Sequence, residues 1–323
     1  MDRELAEALP YLPQLPLSDL AAARAGFAEL VAQAPPLDRS GVRVEDRTIP
    51  GPEEAPDVVV RVFTPESGAG PRPGVLDIHG GGFALGNRDL DDRVNLAIAR
   101  EVGAVVVSVE YRLAPETPFP GPAEDCYAAL QWMVAHAAEL GVDAARVAVL
   151  GDSAGGGLAA TTALLARDRG GPALAMEVLI EPELDDRLQT HSMRTGTDTP
   201  VWHHANAVKS WEYYLGGQEP TPYAAPARTT DLSGLPPTYL TVNELDPLRD
   251  EGLDYAQRLL VAGVPTELHC FAGTFHGFAL ISGAQVTLRA LDMLFGALRR
   301  GLGVEPPPSA PDLSAAAEAA AGV

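Results

Sequence analysis

The sequence predicts an α/β fold in which a mostly parallel, eight-stranded sheet is flanked by helices and covered by a helical cap. From about residue 41, short β-rich runs alternate with longer helical stretches. Several of the short runs consist of consecutive Val, Ile and Leu residues, which is typical of strands buried on both faces. Strands that alternate with helices are usually joined by right-handed crossovers and lie parallel in one sheet.

Eight strands and five core helices are predicted in this alternating region. The strands span residues 42–49, 58–63, 74–79, 104–110, 147–150, 174–180, 238–242 and 266–271. The helices span residues 90–101, 124–140, 157–167, 251–261 and 284–298. The second helix carries a core-facing stripe at helical spacing, made of Cys126, Leu130, Met133, Val134 and Leu140. A short Pro- and Glu-rich loop joins the first two strands, so we expect them to form an antiparallel edge.

Two segments interrupt the alternation and predict the cap. Residues 1–40 contain a helical stretch over 19–32, with Ser18 as its expected N-cap. Residues 185–222 form a long, aromatic-rich insertion between two strands. We expect both segments to be cap elements, and residues 41–184 and 223–302 to form the catalytic domain. Residues 303–323 are rich in Pro and Ala and predict a disordered, low-complexity tail.

Charge and composition exclude several classes of function. The 323 residues include 44 acidic and 23 basic side chains, for a net charge of −21. This excess disfavours nucleic acids and anionic membranes as partners, because both require a basic surface. The first residues lack the pattern of a signal peptide, and no apolar run could span a bilayer, so a cytoplasmic protein is expected. Cys126 and Cys270 have no metal-ligand spacing and are expected to be small buried side chains.

The strongest chemical signal is the run Gly151-Asp152-Ser153-Ala154-Gly155, which lies between a predicted strand and a predicted helix. Glycines on either side of a serine permit a turn sharp enough to project the hydroxyl above the sheet. The alternative is a glycine-rich turn that cradles phosphate. That alternative is weak, because the loop has no lysine and lacks the spacing of nucleotide-binding loops. Ser153 is therefore the candidate nucleophile.

A second glycine-rich run, His79-Gly80-Gly81-Gly82, follows the third predicted strand. Backbone N–H groups in such a loop can approach a ligand closely and stabilise a tetrahedral oxyanion. The residue after the nucleophile, Ala154, supplies a further N–H group in this arrangement. Alone, three glycines are more often just a turn, but together with the Ser153 motif they predict an oxyanion hole.

A serine nucleophile needs a base and an acid that orients the base, in the chain order Ser, acid, His for such a fold. Among seven histidines, His276 alone follows the last predicted strand on a loop. The loop after strand 238–242 offers Asp246, Asp250 and Glu244 as acids. Asp246 ranks first because it lies early in that loop, whereas Asp250 falls at the start of the next helix. Glu244 ranks last.

Together these motifs resemble the hormone-sensitive-lipase family of α/β-hydrolases, in its bacterial carboxylesterase branch. The runs that carry the resemblance are 79–83 (HGGGF), 111–116 (YRLAPE), 151–156 (GDSAGG), 246–251 (DPLRDE) and 276–278 (HGF). The resemblance implies the α/β-hydrolase fold, a Ser153, His276 and Asp246 triad, an oxyanion hole from Gly81, Gly82 and Ala154, and a helical cap. It also implies that Tyr111 and His79 support the oxyanion loop. The sequence departs from the family at residues 181–185 (EPELD), a departure that we expect to be confined to the cap.

The predicted function is a serine carboxylesterase that hydrolyses short-chain carboxylic esters through an acyl-enzyme on Ser153, with no cofactor and no metal. Alternatives are an amidase or deacetylase with the same triad, and a non-catalytic small-molecule-binding protein on the same scaffold. Small, neutral or cationic ester substrates are expected, and a homodimer through the last strand edge is common in such families. Aromatic and sulfur side chains predicted near the substrate are Phe83, Met193, Trp202, Tyr213 and Phe278.

Overall fold

The computed structural model describes residues 1–12, 14–33, 36–68 and 70–304 and contains one eight-stranded sheet. The strands are β1 Val42–Ile49, β2 Val58–Pro65, β3 Arg72–Ile78, β4 Val105–Glu110, β5 Val142–Asp152, β6 Met176–Ile180, β7 Thr238–Asn243 and β8 Thr266–Phe271. Their order is β1-β2-β4-β3-β5-β6-β7-β8. The β1–β2 and β2–β4 pairs are antiparallel and the other pairs are parallel, so the predicted fold class and antiparallel edge are confirmed.

Ten α-helices lie in the described part of the chain. They are α1 Arg3–Ala8, α2 Leu20–Gln33, α3 Asp92–Glu101, α4 Gly121–Ala135, α5 Ala137–Leu140, α6 Ala154–Asp168, α7 His191–Thr195, α8 His204–Leu215, α9 Arg249–Val261 and α10 Gln285–Gly301. Helices α4, α6 and α9 pack on one face of the sheet, and α3 and α10 pack on the other. The run of three valines in β4 is apolar throughout because Val105 and Val107 face one core and Val106 faces the other.

Several predicted boundaries were wrong. The predicted helix 124–140 is two helices, because the His136 side chain bonds to the carbonyl oxygen of Trp132 and the backbone turns there. Strand β5 begins at Val142 rather than 147, since pairing with β3 extends it through a polar stretch. Near α2, the Asp19 carboxylate, rather than the predicted Ser18, accepts a backbone hydrogen bond, from the N–H of Ala22. Cys126 is buried as expected.

Cys270 corrects the other half of that expectation. It lies on the edge strand β8 and is exposed, because it shares with the exposed Leu268 a face of the strand that is poorly covered. The predicted disordered tail falls almost entirely on residues 305–323, which lie outside the described residues. Within the described ranges, no helix has both the length and the apolar character needed to cross a membrane.

The N-terminal segment and the insertion between β6 and β7 pack against each other above the carboxyl ends of the strands. Both segments contribute to one buried apolar cluster, which also includes Leu85 from the loop after β3 and Leu248. The other members of this cluster are Leu17, Ala23, Met193, Trp202 and Ala207. Arg24 on α2 donates hydrogen bonds to the carbonyl oxygens of Ala84 and Ala114 and forms a two-pronged ion pair with Glu116. These contacts fix α2 to the loops that follow β3 and β4.

Candidate active site

Ser153 lies at the sharp turn between β5 and α6. Its φ of 56° and ψ of −121° are strained for a residue with a side chain, a conformation that functional turns maintain against local preference. The turn brings Gly155 against β3, where any Cβ atom would collide with the carbonyl oxygen of Ile78. The backbone N–H of Ser153 donates to the carbonyl oxygen of Ile180 at 2.9 Å, which anchors the turn to β6.

The structure brings Ser153, His276 and Asp246 into one hydrogen-bonded series. The His276 Nδ1 lies 2.8 Å from the Asp246 Oδ2, and its Nε2 lies 2.8 Å from the Ser153 Oγ. Because a carboxylate only accepts, Nδ1 carries the proton, and the Nε2 lone pair is free to accept from the serine hydroxyl. All three side chains are buried. The arrangement can therefore remove the Ser153 proton without passing it to solvent.

The other two candidate acids lie elsewhere. The Asp250 carboxylate accepts from the backbone N–H of Ser192 and pairs with Arg249, so it joins the insertion to α9. The Glu244 carboxylate accepts from the backbone N–H of Gly273 at the exposed end of the loop. Asp246 alone among them reaches His276, and its second oxygen accepts from the N–H of Leu248.

Buried charge surrounds His276. Burial alone lowers the pKa of His276, but the negative charges of Asp246 and Glu181 outweigh it and raise that pKa above its ordinary value. Burial also raises the pKa of Asp152 and of Glu181. The pKa of Glu183 is raised to about 8 by the same cause. The neighbouring carboxylates therefore favour protonation of His276 and make it a stronger base.

The glycine-rich loop after β3 lies beside the nucleophile because β3 and β5 are neighbours in the sheet. The ring of His79 donates from Nδ1 to the carbonyl oxygen of Gly80, stacks on Tyr111 at 4.2 Å, and has a pKa lowered to about 4 by burial. The Tyr111 hydroxyl donates to the carbonyl oxygen of His79 at 2.9 Å. Both side chains therefore hold the loop rather than meet the substrate.

Three backbone N–H groups remain available at this point. Those of Gly81, Gly82 and Ala154 have no hydrogen-bond acceptor among the described residues. Ala154 is the first residue of α6, where N–H groups lack partners within the helix and the helix dipole favours negative charge. The structure thus places each of the predicted oxyanion-hole residues beside the turn that carries Ser153.

Of the five predicted substrate-contacting residues, Trp202 lies over the site. Its ring is 5.7 Å from that of His276, and it packs on Gly82. Met193 is buried in the same cap cluster, and Tyr213 donates its hydroxyl to the carbonyl oxygen of Leu17. The rings of the remaining two residues, Phe83 and Phe278, pack in other clusters. Phe83 stacks on Tyr214 in the core, and Phe278 packs with Leu5, Phe271 and Phe275 beside α1.

The expectation that the 181–185 departure is confined to the cap was wrong. Glu181 lies directly after β6, in the layer of the triad, and its Oε1 is 3.8 Å from the Nδ1 of His276. The backbone N–H of Glu183 donates to the carbonyl oxygen of Ser153 at 3.0 Å. The sequence did carry a signal, because an acidic residue directly after a buried parallel strand falls at the edge where such sites form.

One grouping of metal-ligand side chains occurs in the described ranges, and it is Glu181, Asp246 and His276. Its donor atoms already take part in hydrogen bonds with one another or with the backbone, which accounts for their proximity. The prediction of no metal and no cofactor remains a prediction.

Comparisons with known proteins identify the family of this chain and several similar esterases. Residues 75–280 match a family model described as an alpha/beta hydrolase fold. Carboxylesterase NlhH of Mycobacterium tuberculosis is 40% identical over 292 residues, covering 87% of this chain and 89% of the relative. A solved structure named bacterial heroin esterase superposes with a TM-score of 0.92 at 53% identity, covering 94% of this chain and 98% of the other. The solved structure of esterase LipW from Mycobacterium marinum superposes with a TM-score of 0.86 at 38% identity, covering 93% of this chain and 96% of the other.

Proposed function

Because this chain belongs to the α/β-hydrolase family, in its hormone-sensitive-lipase-like group, and is a carboxylesterase, we propose that Ser153, His276 and Asp246 are its catalytic triad. The single observation that carries the proposal is the continuous pair of 2.8 Å contacts from Asp246 through His276 to the Ser153 hydroxyl. A non-catalytic binding protein on this scaffold has no need of that series.

Acylation begins when the Ser153 Oγ attacks the ester carbonyl carbon as its proton passes to the Nε2 of His276. The Asp246 carboxylate stabilises the imidazolium that forms. The carbonyl oxygen becomes an oxyanion that we assign to the N–H groups of Gly81, Gly82 and Ala154. The tetrahedral intermediate collapses, the C–O bond to the alcohol breaks, and the imidazolium gives its proton to the departing alkoxide.

Deacylation repeats these steps with water. The Nε2 of His276 takes a proton from the water as its oxygen attacks the acyl-enzyme carbonyl, and the same N–H groups hold the second oxyanion. Collapse releases the carboxylic acid and returns the proton to the Ser153 Oγ. The site is restored, and no group other than ester and water is consumed.

The substrates proposed here are small esters with short acyl groups. Ser153 and His276 are each only 5% exposed, and Trp202 covers the oxyanion loop and the imidazole, so the cap leaves little room beside the nucleophile. Neutral or cationic esters are favoured over multiply anionic ones, because the chain carries a net charge of −21. A relative named for heroin and others named simply as esterases fit this class without fixing the substrate.

Residues 1–40 and 185–222 are proposed as the two halves of the cap, since the apolar cluster under them contains side chains from both. A cytoplasmic location is proposed from the sequence. A homodimer that pairs two β8 edges is also proposed, supported by the position of β8 at the end of the sheet. Size-exclusion chromatography with light scattering decides between one copy and two.

The decisive test of the triad combines labelling with one substitution. A fluorophosphonate probe should label the wild-type chain at Ser153, mapped by peptide mass spectrometry. Ser153→Ala should abolish labelling and hydrolysis of p-nitrophenyl acetate, whereas Ser40→Ala, at an exposed serine, should change neither. Near wild-type turnover in Ser153→Ala contradicts the proposal. A panel of matched esters and anilides separates the esterase from an amidase.

A further inference from the structure

Glu181 is a buried carboxylate at the triad that the proposed mechanism leaves unused. Its Oε1 lies 3.8 Å from the Nδ1 of His276, against 2.8 Å for the Asp246 Oδ2. We propose that Glu181 is a positioning residue for ester hydrolysis, which holds the His276 loop and provides a second negative charge behind its imidazole. This inference rests on the proposed triad and extends it to a fourth side chain.

The Glu181 carboxylate ties the histidine loop to the sheet. Its Oε1 accepts from the backbone N–H of Gly277 at 2.6 Å, directly after the base in the chain. Its Oε2 accepts from the side-chain amide of Asn243 on β7. The Asn243 Oδ1 in turn accepts from the hydroxyl of Thr274, two residues before the base. Both sides of His276 are therefore fixed through one carboxylate.

The backbone of Glu181 is held in place by the sheet at some conformational expense. Its φ is +38°, a value that residues with side chains seldom adopt, and its N–H donates to the carbonyl oxygen of Thr241 at 2.9 Å. Strain of this kind persists where the surrounding structure over-determines it, which is typical of functional sites. The turn directs the side chain toward His276 rather than along the strand.

Four carboxyl groups on three elements face His276. Asp152 ends β5, Glu181 and Glu183 follow β6, and Asp246 lies in the loop after β7. Only Asp246 is hydrogen-bonded to the imidazole. Burial raises the pKa of Glu181 to about 8, whereas the positive charge of a protonated His276 and the N–H of Gly277 lower it, and both carboxylate oxygens accept an N–H. The carboxylate is therefore ionised most readily when the imidazole is cationic. That charge is attracted to the imidazolium that forms during acylation and raises the basicity of Nε2.

Glu181→Gln removes the charge while its hydrogen bonds can be kept. The glutamine oxygen can still accept from Gly277, and its amide can donate to the Asn243 Oδ1 after that side chain turns over. The Asn243 amide then donates to the Thr274 Oγ1, whose own proton goes to the carbonyl oxygen of Phe271, an acceptor it already has at 2.7 Å. Differences between this variant and the wild type therefore report the charge.

The test is the pH dependence of kcat and of kcat/KM for p-nitrophenyl acetate with the full chain. For Glu181→Gln we expect the acid limb to move to lower pH by about one unit. The plateau of kcat should fall about tenfold, the equivalent of one pKa unit, while KM changes little. Glu181→Asp keeps a charge farther from His276, so its limb and plateau should fall between those of wild type and Glu181→Gln.

The matched control is Glu177→Gln, on β6, the strand that Glu181 follows. Glu177 is equally buried, but its carboxylate accepts from Thr238 at the opposite end of β6 and faces no group of the triad. Its pH profile should match that of the wild type. If Glu181→Gln has the profile of Glu177→Gln, or loses turnover with its acid limb unmoved, the proposal is wrong.

A fallback variant and a double variant keep the test of Glu181 decisive. If Glu181→Gln fails to fold by circular dichroism, Glu181→Asp decides, and an unmoved acid limb in that variant contradicts the proposal. Combined with Asp246→Asn, Glu181→Gln should have a larger effect than it has alone, because Glu181 is then the nearest carboxylate left. Failure of the triad itself is recognised separately, as a wild-type chain that the fluorophosphonate does not label at Ser153.

Discussion

The Oγ of Ser153 lies 2.8 Å from the Nε2 of His276, although 123 positions separate the two residues in the chain. The contact exists because β5 and β8 are parallel strands of one sheet, so their carboxyl ends reach the same edge. The serine is delivered by a strained turn into α6, and the histidine by a loop that Asp246 and Glu181 hold from two sides.

Asp246→Asn should lower kcat about 10⁴-fold, because an asparagine can donate to Nδ1 and favour the wrong imidazole tautomer. The measurement is kcat for p-nitrophenyl acetate near the pH optimum. Asp250→Asn is the control, since Asp250 bonds to Ser192 and Arg249 rather than to the imidazole, and it should retain most activity. Equal losses in the two variants would argue against Asp246 as the acid.

Gly82→Ala should lower kcat about 10²- to 10³-fold, the usual effect of losing one oxyanion donor. A Cβ at Gly82 would lie 2.6 Å from the Trp202 ring, so the loop must move away from the nucleophile. Gly103→Ala has a matching positive φ and nothing within 4 Å of the new Cβ, so it controls for backbone strain alone. The kcat of Gly103→Ala should equal that of the wild type. An equal loss of kcat in Gly103→Ala would mean that backbone strain, rather than a displaced oxyanion donor, explains the loss in Gly82→Ala.

The pH profile should show an acid limb set by His276. Protonated imidazole cannot accept the serine proton, so kcat/KM falls as pH drops through the pKa of His276. Because Asp246 and Glu181 raise that pKa against the effect of burial, the midpoint should lie above 6.5. Rates are measured with a non-ionising ester, after a return to neutral pH shows that acid has not unfolded the chain. A midpoint below 6.5 contradicts this charge arrangement.

Sequence alone predicted the fold class and brought forward the residues that the structure gathers at the site. Motifs such as Gly-Asp-Ser-Ala-Gly succeed because the turn geometry they impose is local. Glu181 was missed because its contact with His276 depends on how β6, β7 and the loop after β8 align. The sequence predicted Phe83 and Phe278 near the substrate because an aromatic residue that packs in the core cannot be distinguished, from sequence alone, from one that faces the substrate. Their roles, like those of the triad, stay predictions until they are tested by mutation.

Glu177→Gln should make stability less dependent on pH. Burial raises the pKa of Glu177 to about 8 in the folded chain, so its stabilising protonated form is present below the unfolded value of 4.5 and lost as pH rises through 8. The variant mimics the protonated form and keeps the Thr238 contact. We expect its Tm to exceed that of the wild type at pH 8.5 and to match it near pH 4.5. Glu53→Gln, at an exposed position, should match the wild-type Tm at both pH values.

Trp202→Ala should widen acyl-chain preference. Trp202 packs on Gly82 and His276 from the cap, so removing its ring opens space beside the nucleophile. We expect the ratio of kcat/KM for p-nitrophenyl octanoate to that for acetate to rise at least about tenfold, the scale on which close-fitting apolar pockets discriminate. Acetate turnover itself should fall, because the ring also supports the oxyanion loop.

Trp132→Ala provides the matched loss of an indole. Trp132 lies on α4 and stacks on His136 at 5.1 Å, away from Ser153 and from the cap cluster. Both substitutions remove a large apolar side chain and lower Tm, but only the change at residue 202 alters the walls of the site. A similar octanoate-to-acetate ratio in the two variants would mean that a general loss of packing, rather than the space beside Trp202, determines the acyl-chain preference. A raised ratio in Trp202→Ala alone assigns the acyl limit to the insertion between β6 and β7.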